Sequence, residues 1–249
     1  MRTAVYIDGY NLYYGRLRDS CFKWLDVVAL FEGIVKIQHP NASIDVVKLF
    51  TAHALAKFAT HGQDSVIAQH AYHRALQHLY HDRIEITLGS HSHDKNGTLL
   101  PTFKSGVPYD RNVRSRVWKI EEKQTDVNIA IAMYRDASKG LYDQQIICTN
   151  DSDAEPTLKA IRDDFPGITL GVVTPVRPTS GDDRLRSISA SLQRHAHWTR
   201  RHILDAELSA ALLPDQVSTK KKPIKPPLPW RHLETFNHPI LSANASAVT

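Results

Sequence analysis

Cysteine is scarce in this sequence, and long apolar runs are missing. Its 249 residues include only Cys21 and Cys148, so we expect no framework of disulfides. No apolar run approaches the roughly 20 residues that a transmembrane helix needs. The first strand is predicted directly after Thr3, which leaves no room for a signal peptide. We therefore expect a cytoplasmic protein that does not interact with a membrane.

Further absences reduce the number of possible functions. The sequence has no internal repeat, and it has no glycine-rich P-loop, which counts against nucleotide hydrolysis. A large excess of one charge is also missing, since the formal net charge is +5 from 31 Lys and Arg against 26 Asp and Glu. This mild positive excess suits a polyanionic partner such as a nucleic acid, but many enzymes with other partners are equally basic.

The sequence does contain two short apolar runs that stop abruptly in acids. The run 146–148 is followed by Asp151 and Asp153, and the run 4–7 is followed by Asp8. Uninterrupted hydrophobicity of this kind is typical of strands that are buried on both faces of a parallel sheet. Ligands of open α/β sheets bind at the carboxyl ends of the strands. We therefore expect the three acids to face one crevice.

A helix predicted around residues 122–134 brings a further acid. At 100° per residue, Asp126 opens the apolar stripe that should face the sheet, and no basic residue shares that stripe. Burying an unpaired charge is costly, and carboxylates about 4 Å apart repel by about 4 kcal/mol at an effective dielectric near 20. We therefore expect a divalent cation to bind among the acids. Glu122, one turn earlier on the same face, is a weaker candidate ligand.

Asp153 also has a purely structural interpretation. It is suitably placed to cap a helix that has Pro156 in its first turn. Capping would not explain Asp8 or Asp151.

Histidines invite a second metal hypothesis. His70, His73, His78 and His81 lie on one side of a helix predicted over residues 65–80, opposite its apolar face. Imidazoles one turn apart can share a zinc ion. No Cys or acid lies nearby at ligand spacing, so the pattern favours a solvated helix face.

A long segment with little periodicity, residues 89–119, precedes the helix that carries Asp126. Its cations are interleaved with Phe103, Tyr109 and Trp118, an arrangement that can hold phosphates and stack bases. The alternative is a β-hairpin arm whose charges are merely solvated, with residues 113–118 as one strand. The sequence favours neither. The cations are Lys104, Arg111, Arg114, Arg116 and Lys119.

The order of the predicted elements indicates an α/β fold. Strands are expected at residues 4–7, 44–50, 83–88, 146–149 and 168–173, with helices at 24–37, 65–80 and up to 164 between them. The segment 13–19 is predicted to be a polar connection. Helices are expected again at 182–192 and 196–213. We divide the chain into a main domain (1–175), a helical extension packed on it (176–213) and a basic, proline-rich tail (214–249) that forms an arm or lies across the domain.

Three segments, residues 5–14, 119–128 and 150–156, resemble a bacterial NYN domain of the PIN-like nuclease superfamily. The resemblance covers roughly residues 1–175. It implies an α/β/α sandwich with a mainly parallel sheet of about five strands. It also implies an endoribonuclease that depends on Mg²⁺ or Mn²⁺. Thr125 stands where the family often has glycine, and Ala154 where a bulky apolar residue usually follows the last acid.

The resemblance assigns roles to particular residues. Asp8, Asp126, Asp151 and Asp153 would form the acidic cluster, with Asn11 as the polar companion of Asp8. We expect the first three acids to bind metal directly, while Asp153 binds metal or only orients the site. Two bound metals would activate a water and stabilise the leaving oxygen of RNA. The expected RNA contacts are Lys104, Arg111, Arg114, Arg116, Lys119 and Lys123.

Two alternatives to the ribonuclease stay open at this point. One is an RNA-binding or regulatory module without catalysis. The other is a small-molecule phosphatase, although such an enzyme would not need the long basic segment. The sequence also leaves a homo-oligomer open.

Overall fold

The computed structural model describes residues 1–178 and 189–230. Seven strands form one sheet: β1 (Arg2–Asp8), β2 (Ser43–Ala52), β3 (Ile84–His93), β6 (Ile120–Lys123), β7 (Gln144–Cys148), β8 (Thr169–Val173) and β9 (Trp198–Arg200). Their order is β6-β3-β2-β1-β7-β8-β9. All neighbours are parallel except β3 and β6. The α/β class is therefore confirmed, but the sheet has seven strands where about five were expected.

The two unexpected strands lie at the edges of the sheet. β6 and β9 have four and three residues, too short for a sequence pattern to identify. β9 overturns part of the helix predicted over 196–213. Trp198 packs directly on Gly171 of β8, where even a Cβ atom would lie 2.3 Å from its ring. The Trp198 indole also donates to Gln144 Oε1 at 3.1 Å, so tertiary contacts select the strand.

Seven α-helices connect and flank these strands within the described residues. They are α1 (Gly9–Leu12), α2 (Val27–Gln38), α3 (Gln63–Tyr80), α4 (Thr125–Ser138), α5 (Glu155–Asp164), α6 (Ala190–His195) and α7 (Asp205–Ala210). A π-helical turn, Tyr13–Leu17, continues α1 where a polar connection was predicted. The difference arises because Arg16 and Leu17 are buried, and the Arg16 guanidinium pairs with Asp205 of α7.

Two hydrophobic cores lie on opposite faces of the sheet. Val5 and Ile7 of β1 pack with α2 and α3, whereas Ala4 and Tyr6 pack with α4 and α5. This alternation follows from the period of two in a strand. Helices thus cover both faces and leave the carboxyl ends of the parallel strands accessible.

A β-hairpin is inserted between β3 and β6. It is formed by β4 (Thr98–Pro101) and β5 (Arg114–Val117), which pair antiparallel as a sheet of their own. A hairpin with one strand within residues 113–118 is therefore confirmed, while the role of its cations stays a prediction, and β3 extends to His93, further than predicted.

The tail lies across the domain's own surface as far as Trp230. Val217 and Ile224 are buried and bridge each other, and Pro214 accepts a hydrogen bond from the Trp24 indole at 3.0 Å. Residues 231–249 and most of the predicted helix 182–192 lie outside the described residues. The three-part division of the chain stays a prediction. Over residues 1–178 and 189–230, the structure has no helix of sufficient length and hydrophobicity to cross a membrane.

Candidate active site at the carboxyl edge of the sheet

Four acids line one cleft at the carboxyl edge of the sheet. β1 and β7 are parallel neighbours in which Ile7 lies opposite Cys148, so the residues that follow them emerge side by side. The amino end of α4 lies opposite. The cleft is lined by Asp8, Asp126, Asp151 and Asp153, together with Ile129, Ala130, Ile147, Thr149, Ala154 and Thr157. The structure thus brings together the acids that the sequence singled out, and their catalytic and metal-binding roles stay predictions.

Asp8 is the buried, fixed member of this group. Its carboxylate accepts hydrogen bonds from the backbone N–H of Asn11 at 2.9 Å, from Asn11 Nδ2 at 2.6 Å and from the Thr149 hydroxyl at 2.9 Å. Asn11 is therefore the direct partner of Asp8. Burial raises the pKa of Asp8, the three hydrogen bonds oppose that shift, and the charge of Asp151 adds to it.

Asp151, and not Asp153, caps the turn that follows β7. The Asp151 carboxylate accepts from the backbone N–H of Asp153 at 3.1 Å, and a short 3₁₀ turn, Ser152–Ala154, leads into α5. The predicted capping role of Asp153 is wrong because the helix proper begins two residues after it. Pro156 does lie in the first turn, as predicted. Asp153 is exposed at the mouth of the cleft.

The cleft accumulates negative charge. Partial burial raises the pKa of Asp126, and the charges of Asp8, Asp151 and Asp153 raise it further. Burial also raises the pKa of Glu122, with the hydroxyl of Thr125 opposing the shift and Asp8 adding to it. A cation, a proton or a hydrogen-bond donor on a ligand would relieve this repulsion.

The described side chains do not form a ready-made metal cage. Among residues 1–178 and 189–230, no group of three or more His, Cys, Asp or Glu is arranged to hold a metal ion. Oxygen donors suit a hard cation chemically, but as placed they do not converge on one point.

The solvated face favoured for the histidines of α3 is confirmed for His70, His78 and His81, which are exposed, and is wrong only for His73. His73 is buried, and its pKa falls to about 4, first through burial and then through the proximity of His53 and His70. Leu79 belongs to the apolar face that helical spacing gives the helix predicted over 65–80, with Ala68, Ala75 and Leu76, yet it is 41% exposed. The apolar face of α3 is therefore rotated from the predicted one towards His73.

The predicted RNA contacts divide into two groups. Lys119 and Lys123 both pair with Glu121. On the hairpin, the Arg114 Nε donates to the Arg111 carbonyl at 2.7 Å, while Arg116 donates to two backbone carbonyls. Within the described part of the chain, no ion pair with an acid involves the hairpin cations Lys104, Arg111, Arg114 or Arg116, and RNA contact stays a prediction for them.

Two aromatic contacts were missed by the sequence analysis, that of Tyr10 with His91 and that of Trp118 with Lys57. The Tyr10 hydroxyl lies 2.6 Å from His91 Nε2, and His91 pairs across strands with Glu122. The ammonium of Lys57 lies 4.0 Å from the centre of the Trp118 ring, which connects the hairpin to the loop after β2. The alternation of polar and small residues over 89–93 is typical of a strand. It was the one signal from which the strand predicted over 83–88 could have been extended to include His91.

A groove between α4 and α5 opens into the cleft. It has a volume of about 550 Å³, and Ala130 and Thr157 line both the groove and the cleft. Its other lining residues are Ile131, Tyr134, Arg135, Ser138, Pro156 and Ala160.

Comparisons with known proteins bear on the chemistry. No protein-family model matches the chain. A solved structure of a protein of unknown function from Vibrio parahaemolyticus is 17% identical and covers 85% of this chain and 96% of its own, with a TM-score of 0.47, which is too low to establish a shared fold. A relative from Pseudomonas putida, 6-hydroxy-3-succinoylpyridine 3-monooxygenase HspA, is 38% identical over 91% of this chain and 74% of its own.

This relative corrects the predicted activity. A monooxygenase is an oxidoreductase, so the expectation of a ribonuclease, a hydrolase, is wrong. The expectation of an enzyme stands. The acids in the motifs predicted a site correctly, but acids alone do not determine which reaction takes place there. The resemblance to an NYN domain is neither supported nor opposed by the relative's name and stays a prediction. At 38% identity over most of both sequences, the chain belongs to the family of 6-hydroxy-3-succinoylpyridine 3-monooxygenase HspA.

Proposed function

We propose that this protein is an oxidoreductase that adds one oxygen atom from O₂ to a small hydroxylated aromatic compound, with the acidic cleft as its active site. The observation that carries the proposal is the 38% identity with a relative named as a monooxygenase of a hydroxylated, succinoyl-substituted pyridine. The cleft supports it, because the described residues that line it include four carboxylates and no Lys or Arg, a setting that suits a ligand that donates hydrogen bonds.

The carboxylates can prepare such a ring for oxygenation. A ring hydroxyl that donates a hydrogen bond or a proton to a carboxylate raises the electron density of the ring carbons, where oxygen is added. Asp8 is held by Asn11 and Thr149, so it is a fixed acceptor. Asp126 and Asp153 are exposed at the mouth of the cleft and are accessible to the substrate.

A monooxygenase reaction requires a reductant in addition to O₂. One atom of O₂ enters the product and the other leaves as water, which consumes two electrons and two protons. A two-electron donor such as a reduced nicotinamide is therefore required as a co-substrate.

A divalent cation, Mg²⁺ or Mn²⁺, is part of the proposal. Asp8, Asp126, Asp151 and Asp153 are the residues that would hold it, and the mutual repulsion that raises the pKa of Asp126 supports cation binding. Since these carboxylates do not converge on one point, they would have to move towards the ion to bind it.

The proposal extends to the fold family and to a nucleic-acid partner. Helices on both faces of the sheet and acids at its carboxyl edge support a PIN-like arrangement. Hairpin cations that make no ion pair within the described part of the chain support the binding of RNA by the hairpin.

Product analysis tests the proposed function. The full chain is incubated with 6-hydroxy-3-succinoylpyridine, isotopically labelled O₂, and NADH or NADPH, with and without Mn²⁺. We expect substrate-dependent consumption of the reductant and one labelled oxygen atom in the product. Asp126→Asn should lower the rate about 100-fold or more if its carboxylate prepares the ring.

The matched control is Asp82→Asn. The Asp82 side chain is 94% exposed and lies just before β3, at the opposite edge of the sheet, so its removal should leave the rate unchanged. If no labelled product forms under any of these conditions, or if Asp126→Asn retains full activity, the proposal is wrong.

A further inference from the structure

We propose that the groove between α4 and α5 binds the acid chain of an aromatic acid substrate, with Arg135 as the residue that recognises its carboxylate. This inference rests on the proposed function and names the class of substrate. It also assigns a binding site to residues outside the acidic cluster.

The groove is open because small side chains face each other across it. Ala130 and Ser138 lie on α4 at a spacing of eight residues, and Pro156 and Ala160 lie on α5 four residues apart. Such spacings place residues on one side of a helix, so they form continuous walls. The groove is widely open to solvent, and its volume of about 550 Å³ is in the range of sites for small molecules.

Few polar groups of the described residues line the groove, and Arg135 is the charged one among them. Tyr134 is 40% exposed, and its hydroxyl is fixed by Asp164 at 2.7 Å, so it presents the face of an ordered ring. Arg135 is exposed and makes no ion pair with any described residue. Among the described residues that line the groove, Arg135 is the one cation, and the nearby Asp164 carboxylate is engaged by Tyr134, so an apolar chain that ends in a carboxylate is complementary to the groove at Arg135.

The acidic cleft at the other end sets the direction of binding. The groove meets the cleft at Ala130 and Thr157, and the four acids there would repel a carboxylate but accept hydrogen bonds from a ring hydroxyl. Along α4, the axial distance from Ala130 to Arg135 is about 7.5 Å at 1.5 Å per residue, to which the length of the Arg135 side chain is added. A hydroxylated ring with an acid chain on its far side, such as 6-hydroxy-3-succinoylpyridine, therefore has its hydroxyl at the acids and its carboxylate at Arg135.

Equilibrium binding tests the inference without requiring turnover. Three probes are titrated calorimetrically into the full chain in the absence of reductant: 6-hydroxy-3-succinoylpyridine, 2-hydroxypyridine, which lacks the chain, and succinate, which lacks the ring. Arg135→Ala should weaken binding of the first probe about tenfold or more, remove most of its salt dependence and leave 2-hydroxypyridine unchanged. Arg135→Lys should restore part of the affinity.

Two further variants complete the design. Lys139→Ala removes an exposed cation directly after α4, four residues beyond Arg135, that does not line the groove, and it should bind all probes as the wild type does. Ala160→Trp should fill the groove and abolish binding of the succinoyl compound. Melting temperatures establish that each variant is folded.

The outcomes separate this inference from the proposed function. The inference is wrong if the wild type does not bind the succinoyl compound, or if Arg135→Ala and Ala160→Trp bind it as tightly as the wild type. Binding that depends on Arg135 without any oxygenated product would support the groove and contradict the monooxygenase. Full oxygenation by Arg135→Ala with unchanged affinity would support the monooxygenase and contradict the role of the groove.

Discussion

Asn11 holds both oxygens of the Asp8 carboxylate, one through its backbone N–H at 2.9 Å and the other through its side-chain amide at 2.6 Å. The same amide group accepts from the backbone N–H of Asn150 at 3.3 Å, so Asn11 connects the ends of β1 and β7. Asn11 thereby makes the end of β1 and the acidic cleft one structural unit.

The first prediction follows from this connection. Asn11→Ala removes the side-chain hydrogen bond to Asp8 and should lower the free energy of unfolding by about 1.5–3 kcal/mol at neutral pH, because a buried carboxylate loses a donor. Urea titration measures the change. Asn112→Ala, on the exposed hairpin, is the control and should have no effect. Equal stability of the two variants would show that the Asn11 amide does not support Asp8.

The second prediction concerns pH. The folded-state pKa of Asp126 is raised, so the folded protein binds the proton more tightly than the unfolded chain does. Stability from this group is present below the ordinary pKa of about 3.9 and is lost as the pH rises through the higher folded-state pKa. Asp126→Asn should therefore lose less stability than the wild type between acidic and neutral pH without metal, as measured by urea unfolding. A steeper loss of stability with rising pH in the variant would contradict a raised pKa of Asp126.

The third prediction concerns a buried ion pair away from the cleft. Lys48 Nζ lies 2.9 Å from Asp136 Oδ2, which also accepts from the Tyr6 hydroxyl at 2.8 Å, and both charged side chains are buried. Lys48→Met should lower the free energy of unfolding by about 3–5 kcal/mol, because Asp136 is left charged without its partner. The double variant with Asp136→Asn should recover part of this loss in a thermal melt. If the double variant is no more stable than Lys48→Met, the unpaired charge is not the cause.

Particular residues show how far the sequence could be interpreted. The presence of Asp8, Asp126 and Asp151 in one cleft was predictable, because neighbouring parallel strands end at one edge and helical periodicity turned Asp126 towards it. β9 was not predictable, because Trp198 becomes part of a strand only through contact with Gly171 and Gln144, far away in the chain. The burial of His73 likewise depends on tertiary packing. The reaction could not be predicted from the acids, since carboxylates serve hydrolases and oxidoreductases alike.

The fourth prediction tests the hairpin. If Arg111, Arg114 and Arg116 contact phosphates, replacing all three with Ala should weaken binding of single-stranded RNA and flatten its salt dependence. The reason is that log affinity falls by about 0.7 per contact for each decade of salt. Filter binding at several salt concentrations measures the slope. Lys139→Ala, which removes a single cation from α4, should leave the slope unchanged. An unchanged slope in the triple variant would mean that these cations are only solvated.

The last prediction concerns metal at the acidic cleft. A ligand that binds only the folded state adds about 2.7 kcal/mol at a hundred times its dissociation constant, which corresponds to a rise in melting temperature of roughly 5–10 °C for a chain of this size. Mn²⁺ should produce this rise in the wild type. Asp151→Asn should lose it, because one of the expected ligands is gone, while its stability without metal should be equal or higher, since one charge of the cluster has been removed.

Asp82→Asn is the control for this experiment and should retain the full rise, because its carboxylate lies at the opposite edge of the sheet. The reverse result would also be informative. If Asp151→Asn is destabilised without metal by a few kcal/mol and Mn²⁺ leaves the wild type unchanged, then Asp151 acts through its hydrogen bond to the backbone N–H of Asp153. In that case the cleft carries its negative charge for the substrate alone, and the proposed cation is wrong.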